Sequence, residues 1–570
     1  MIADITITEK SFGPKSLYKN LSFSVGDSEK IGVIGRNGVG KTTLFGILSG
    51  EDTDFTGDVI FRRGVSLVSS RQEHHGHEQK TVLEYILGDL PEYAHLSHII
   101  ETYPETMGDN VRKISEYTDA LERFGGLGYY DNEGIITEDL KRLQIGEAKA
   151  HGLLGELSGG QKRLVEVVKI MHSNAHLALI DEPTNHMDYL AKTKFIDWMK
   201  NSNMAMLIIT HDRDVLHEVD RIIEIKDGEA VVFNGNYDYY LKTNATSTTG
   251  AMHEFEVMQR RIANLKDKVI QFRRLKEKAR DPDTIKQFKR REQQATSELS
   301  ELQMIEKPTF WIDQNSVTDL GLKSAEQYDK FKAKNIKIHG AKVVEGHSRL
   351  LVEVQDLSLG YTTPLFEKIS FQLREGERIE LHGRNGAGKT TLIKKLLEYS
   401  DWDAAKHLPI ANSHISTVLN QGVSKVICYA GTIEVDSKTV VGVYEQEVSH
   451  ELFELSLQDA IERVYLNKNL PITDTKIRQL LADYLFTAGD GSIPVKSLSG
   501  GQKSRLQLIA MLANNPSLLV LDEPTNHLDL PSIEELENAL HDYRGAILYV
   551  SHDSYFQKAL GGVIVQIGKT

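Results

Sequence analysis

The sequence predicts an α/β chain built from two copies of one domain joined by a charged helical hairpin, and two observations predict it. A set of short motifs occurs twice in the same order, each set on an apolar strand or at the start of a helix. Between the copies the apolar residues change period and recur every three or four positions, the spacing of a helical seam.

With 570 residues the chain has room for about three or four domains. Hydrophobic residues make up 40% and charged residues 26%, a globular balance. No apolar run approaches the roughly 18 residues that a membrane-spanning helix needs. The stretch Met1 to Lys10 alternates like a strand and lacks the three regions of a secretory signal, so a cytoplasmic location is expected. With Cys428 as its single cysteine, the chain alone can build no disulfide, zinc cluster or cysteine-ligated iron–sulfur centre.

The repeats come in register. Gly35-Arg36-Asn37-Gly38-Val39-Gly40-Lys41-Thr42 returns as Gly383-Arg384-Asn385-Gly386-Ala387-Gly388-Lys389-Thr390, 348 positions on. Leu157-Ser158-Gly159-Gly160-Gln161 returns as Leu498-Ser499-Gly500-Gly501-Gln502, and Asp181-Glu182-Pro183-Thr184-Asn185-His186 as Asp522-Glu523-Pro524-Thr525-Asn526-His527, both displaced by 341. Thr210-His211-Asp212 returns as Ser551-His552-Asp553 at that same offset, as a duplication requires.

Each glycine-rich loop follows an apolar strand (Ile31 to Ile34; Ile379 to Leu381) and opens a helix, the setting of a phosphate cradle. Its glycines let backbone amides turn onto phosphate oxygens and the helix dipole favours their charge. Lys41 or Lys389 reaches the terminal phosphates, and Thr42 or Thr390 offers a hydroxyl to Mg2+. The acidic pairs end apolar strands (Leu177 to Ile180; Leu518 to Leu521). There Asp181 and Asp522 can hold the metal, while Glu182 and Glu523 can orient and deprotonate water in phosphoryl transfer. His211 and His552 each close a further apolar strand, where an imidazole can contact the terminal phosphate.

Together these motifs resemble the ATP-binding cassette superfamily, in which two P-loop NTPase domains sandwich two ATP molecules with Mg2+. The resemblance implies that Ser499, Gly500, Gly501 and Gln502 complete the site built on Lys41 and Thr43. It equally implies that Ser158, Gly159, Gly160 and Gln161 complete the one built on Lys389 and Thr391. It further implies that Gln72 and Gln446 link the metal to the helical subdomain, although Gln421 competes with Gln446, and that Phe12 and Tyr361 stack on adenine. Two fused cassettes with Asp-Glu-Pro-Thr-Asn-His in both resemble the F subfamily, a likeness covering essentially the whole chain. The E subfamily carries an iron–sulfur domain, for which the one cysteine leaves no ligands.

The segment between the copies reads independently. Phe255, Met258, Ile262, Leu265, Val269 and Phe272 form one seam, and Ile285, Phe288, Ala295, Leu299 and Leu302 a second, interrupted at Glu292. Arg280-Asp281-Pro282-Asp283-Thr284 supplies the turn between two paired helices. Gln259 to Gln294 holds thirteen Lys or Arg and five acids, a balance of +8 in a chain whose net charge is -14, so the remainder carries -22. Charge concentrated this way suits a polyanion. The candidate RNA contacts are Arg273, Arg274, Lys276, Lys278, Arg280, Lys286, Lys289, Arg290 and Arg291. The F-subfamily resemblance implies a ribosome partner, with this linker entering the tRNA exit region and approaching the peptidyl-tRNA, and in some members protection from antibiotics. It implies no membrane domain and a monomer whose cassettes pair within one chain. An ATPase subunit of a membrane exporter and a nucleic-acid remodeller acting away from ribosomes are the competing readings.

The expected divisions are a first cassette over 1–243, a basic hairpin over 244–308, a connector over 309–348 and a second cassette over 349–570. About 26 residues around 400–437 are extra in the second copy. About 33 within 73–155 are extra in the first, either a ribosome-contacting arm or an enlarged helical subdomain.

Overall fold

The computed structural model describes residues 1–12, 15–71, 74, 76–108, 110–185, 187–244, 265, 268–276, 282–303, 349–398, 426–444, 448–484, 486–487, 489–526 and 528–568. The expectations resting on Gln72, Gln446, His186, His527, Lys278 and Arg280 lie outside these residues. The chain forms two compact units, Met1–Tyr237 with Ile336–Thr570, and Asp238–Asn335.

In the first copy, β1 (Ala3–Phe12), β2 (Lys15–Val25) and β4 (Thr56–Phe61) form an antiparallel sheet in the order β2-β1-β4. A second sheet contains β3 (Lys30–Ile34), β5 (Leu67–Ser69), β6 (Leu177–Asp181), β7 (Ala205–Ile209), β8 (Arg221–Lys226) and β9 (Glu229–Phe233), in the order β5-β6-β7-β3-β8-β9. Only β9 runs antiparallel to its neighbour. β3 and β7 are buried along their whole length, which explains why both read as unbroken apolar runs rather than alternating ones. Ile5, Ile7 and Leu21 of the small sheet pack with Ile31, Leu179 and Leu207 of the large one, and α1 (Lys41–Ser49) adds Leu44 and Leu48 to the same core.

The second copy repeats the plan with β10 (Leu350–Gly360), β11 (Pro364–Arg374), β12 (Arg378–His382), β13 (Ile427–Val435), β14 (Val441–Tyr444), β15 (Leu518–Asp522), β16 (Ala546–Val550) and β17 (Val563–Gln566). Its sheets run β11-β10-β13 and β14-β15-β16-β12-β17, the latter parallel throughout. β13 is the counterpart of β4: Val352 of β10 pairs with Val435 as Ala3 of β1 pairs with Phe61. The extra residues placed around 400–437 therefore all precede Ile427, because 427–435 is shared architecture; residues 399–425 lie outside those described.

The extra residues of the first copy are a pair of antiparallel helices, α2 (Tyr93–Thr106) and α3 (Val111–Gly126). Matching bridges, Thr81 to Leu153 and Ser456 to Pro494, bracket the region in the two copies. Leu96, Ile99, Ala120 and Phe124 sink into the core of the helical subdomain alongside α4 (Gly159–His172). α5 (Tyr189–Asn201) and α6 (Arg213–His217) follow β6 and β7.

In the separate unit, residues 268–276 are helical and α7 spans Pro282–Gln303. The proline at its first position corrects the expected turn: residues 282–284 already belong to the helix, where the missing N–H costs nothing. Glu292, the seam interruption, accepts from Arg273 Nε at 3.2 Å and from Lys276 Nζ, so two of the candidate RNA contacts also brace the pair of helices. The second copy contributes α8 (Lys389–Glu398), α9 (Gly500–Leu512), α10 (Leu530–His541) and α11 (Ser554–Leu560).

Leu179, fully buried on β6 two residues before Asp181, reports on this core. Leu179→Ala is expected to lower the stability of the first domain by about 2–5 kcal/mol, read as an earlier urea transition of that domain.

Candidate active site

Each glycine-rich loop sits at the carboxyl end of an interior parallel strand, β3 or β12, the place where open α/β sheets bind ligands. Gly40 and Gly388 have φ of +104° and +101°, and their missing side chains give room to Leu17 and Phe366 respectively. The lysines that open α1 and α8 are 8% and 7% exposed. Lys41 Nζ donates to Gly35 O at 2.6 Å and Arg36 O at 3.2 Å, and Lys389 Nζ does the same to Gly383 O and Arg384 O. Burial pulls both lysine pKa values down.

Thr42 Oγ1 donates to Asp181 Oδ2 at 3.0 Å, and Thr390 Oγ1 to Asp522 Oδ2 at 2.9 Å. A hydroxyl beside a carboxylate suits a hard cation that keeps water and phosphate oxygens as its other ligands. No cluster of three or more His, Cys, Asp or Glu able to hold a metal by itself exists among the described residues. The threonine–aspartate pairs fit Mg2+ arriving with a nucleotide.

Glu182 and Glu523 follow β6 and β15 with φ of 47° and 49°, a left-handed conformation that non-glycine residues adopt at a cost of about 1–3 kcal/mol. The N–H of Glu182 is held by Ile209 O and that of Glu523 by Val550 O, which aims both carboxylates off the strand ends. Burial raises the Glu523 pKa to about 7 against the opposing pull of Lys389. Burial and Asp181 likewise push Glu182 up, with Lys41 and Arg163 opposing. His552 Nε2 lies 3.1 Å from Glu523 Oε1, and burial drops its pKa to about 3, so the ring is neutral. His211 lies 3.4 Å from Glu182, is also held neutral by burial, and neither of its ring nitrogens finds a hydrogen-bond partner among the described residues. Such a buried, polar, unpaired group fits a phosphate oxygen.

The two copies meet at these loops. Asn37 N donates to Asp529 Oδ2 at 2.9 Å, and Asn385 N to Asp188 Oδ2 at 3.2 Å. A Cβ placed on Gly500 would lie 3.2 Å from Asn37 Cβ, so the second copy's Ser499–Gln502 segment faces the first copy's phosphate loop. Ser158 and Ser499 each cap α4 or α9, accepting from the amides of Gln161 and Gln502 at 3.3 Å. A cavity of about 660 Å³ is lined by Lys41, Thr42, Thr43, Asp181, Glu182 and His211 together with Glu523, Asn526 and His552. Phe12 reaches this cavity at the end of β1, 56% exposed with Lys10 Nζ 4.9 Å from its ring, whereas Tyr361 does not line it. The residues of the second phosphate loop, Gly383 to Thr391, do not line it either.

Sequence reasoning missed Asp188 and Asp529, although they recur at the 341 offset just before a helix, where an aspartate caps. It also missed Lys192 and Arg163, each present in one copy only.

The family described as ABC transporter matches residues 18–185 and 366–526. This chain belongs to the ATP-binding cassette family. An associated family of the same description matches residues 223–318. The cassette chain is 30% identical over its full length to 80% of the Bacillus subtilis putative ATP-binding protein YdiF. It is 27% identical over 98% of its length to 74% of the Arabidopsis thaliana ABC transporter F family member 5. It is 24% identical over 97% of its length to 84% of the Bacillus subtilis ribosome protection protein VmlR. These relatives put it on the F branch, and its cassettes are ATPase domains. No helix among the described residues is long and apolar enough to cross a membrane.

The raised glutamate pKa values give a pH signature. A general base acts only when ionised, so ATP hydrolysis by a Glu182→Gln protein, which leaves Glu523, is expected to climb as pH rises through about 7. Half-maximal kcat near pH 4.5 would contradict the assignment.

Proposed function

We propose that this chain is a cytoplasmic, ribosome-binding translation factor. ATP closes its cassettes and fixes the basic hairpin in a binding pose, and hydrolysis releases it. The observation that carries the reading is the hairpin's charge of +8 against -22 elsewhere, in a chain whose relatives include a ribosome protection protein. Phosphate neutralisation by Arg274, Lys286, Lys289, Arg290 and Arg291, with Arg273 and Lys276, would give affinity without sequence readout and binding that weakens steeply with salt. The finer reading puts the hairpin near the tRNA exit and peptidyl sites, with antibiotic protection as its outcome.

The cassettes extend over 1–243 and 349–570, flanking the hairpin at 244–308, in this proposal. Lys41 and Lys389 hold the terminal phosphates, and Thr42 with Asp181 and Thr390 with Asp522 hold Mg2+. The bound metal would neutralise charge on the terminal phosphates. Glu182 and Glu523 orient water and take its proton, while His211 and His552 contact the terminal phosphate. Ser499–Gln502 closes over one ATP and Ser158–Gln161 over the other.

Replacing both glutamates by glutamine is expected to cut turnover at least about 100-fold while leaving closure intact. The Glu182→Gln/Glu523→Gln protein should then sediment with ribosomes in ATP. Retention in the supernatant would overturn the ribosome reading, and recovery on membrane vesicles instead would favour an exporter subunit.

A further inference from the structure

The two hydrolytic sites have the same motifs but unequal neighbours, and one neighbour crosses between copies. Lys192 on α5 is 7% exposed. Its Nζ donates to Asp214 Oδ2 at 2.6 Å and to the backbone carbonyl of His552 at 3.0 Å, with Asp212 Oδ2 at 3.3 Å. A cation of the first cassette is thus bonded to the residue whose imidazole stands 3.4 Å from Lys389 Nζ and 3.1 Å from Glu523 Oε1. Burial opposes the charge on Lys192, but Asp212, Asp214 and Asp553 outweigh it and hold the pKa above the ordinary lysine value. The side chain therefore stays charged wherever the enzyme works.

That charge also disfavours protonation of His552.

The duplication makes the asymmetry explicit. The 341 offset puts Ile533 where the first copy has Lys192, and Tyr555 where it has Asp214. An isoleucine has no donor, so this position offers His211 no equivalent bond. Ser554 Oγ instead donates to Asp214 at 2.8 Å, anchoring the carboxylate that orients Lys192.

We propose that Lys192 is a positioning residue chiefly for hydrolysis at the Lys389 site, reaching across the interface to hold His552 against the terminal phosphate. The inference rests on the assignment of Glu523 and His552 to the hydrolytic machinery. Its consequence is that the two ATP molecules are hydrolysed under different control, the one at Lys389 with a lysine lent by the neighbouring cassette.

The test compares Lys192→Met and Lys192→Arg in two backgrounds: Glu182→Gln, which reports the Lys389 site, and Glu523→Gln, which reports the Lys41 site. In the first, Lys192→Met should lower kcat about tenfold with KM for ATP changed less than about twofold, and Lys192→Arg should recover most of it. In the second, where Lys192 also meets Asp212, Lys192→Met should lower kcat no more than about threefold. Equal losses in the two backgrounds would mean a general packing role, and no loss in either would remove the role altogether; each overturns the proposal. The Glu182→Gln/Glu523→Gln protein separates the underlying assignment: if it hydrolyses ATP like the unsubstituted chain, the assignment fails rather than Lys192. If one glutamine silences both sites, kcat of the otherwise unsubstituted chain decides. Lys192→Met should lower it several-fold with KM for ATP changed less than about twofold, Lys192→Arg should recover most of it, and an unchanged kcat overturns the proposal.

Discussion

Two aspartates hold the arrangement on which both sites depend. Asp188 and Asp529 each accept a backbone N–H at the start of their own helix, from Ala191 at 3.0 Å and Ser532 at 3.1 Å, while also receiving an amide from the opposite phosphate loop. Burial works against either carboxylate being charged, yet these bonds, joined by Gln144 on Asp188 and the Ser532 hydroxyl on Asp529, outweigh it and keep both pKa values low. A carboxylate this deep is costly unless its oxygens are all engaged, and full engagement requires the two cassettes to be together. One interaction therefore couples a helix start, the first turn of the facing phosphate loop and closure of the cleft between them.

Around that symmetric pair the interface becomes one-sided. Arg213, 2% exposed, meets Glu537 at 3.0 Å, and His217 stacks on Tyr555 with 4° between ring planes. On α4, the first cassette's signature helix that begins at its Ser158–Gln161 segment, a buried polar cluster joins Glu166 to Lys169 at 2.6 Å and His74 at 2.9 Å, with Tyr85 donating as well. Burial opposes the charge on Glu166, but His74, Lys169 and Tyr85 win and bring its pKa to about 2. Glu166 also accepts from the amide of Arg71, tying the signature helix to the segment that follows β5. The second cassette has Gln507 and Ala510 at the positions of Glu166 and Lys169, and a neutral Tyr444–Ser504 hydrogen bond nearby. Among the described residues, the buried polar contacts here are ionic in the first cassette and include a neutral tyrosine–serine bond in the second. Two sites with the same candidate catalytic groups consequently have surroundings of different charge.

Most of the nucleotide site was legible in the sequence because its chemistry needs fixed residue types at fixed short spacings. Glycines must turn the loop, and a lysine and a threonine must open the helix. Acids must end the buried strands, whose apolar runs at Leu177–Ile180 and Leu518–Leu521 announce them. What stayed hidden was long-range. Lys192 reads as an ordinary helical lysine until the fold brings it to His552, 360 positions away. Asp188 and Asp529 carry a cap signal, but no local pattern says that the same carboxylate serves another cassette. The extra residues of the first copy could not be divided between an arm and a larger subdomain, because the amphipathic period of α2 and α3 shows that a face is buried without showing where. The hairpin's charge was plain from composition, whereas the diversion of Arg273 and Lys276 to Glu292 required their spacing in three dimensions.

The central claim is that each site is shared between cassettes, and disulfide trapping tests it most directly. In a chain carrying Cys428→Ser, the pair Asn37→Cys and Gly500→Cys puts two sulfurs on Cβ positions 3.2 Å apart, near the separation a disulfide prefers. Mild oxidation should produce an internal cross-link, seen as a mobility shift on a non-reducing gel, and the control pair Asn37→Cys and Gly159→Cys within one cassette should not. A cross-link in the control with none in the Gly500 pair would mean that each phosphate loop faces its own signature segment, and the shared-site account would be wrong.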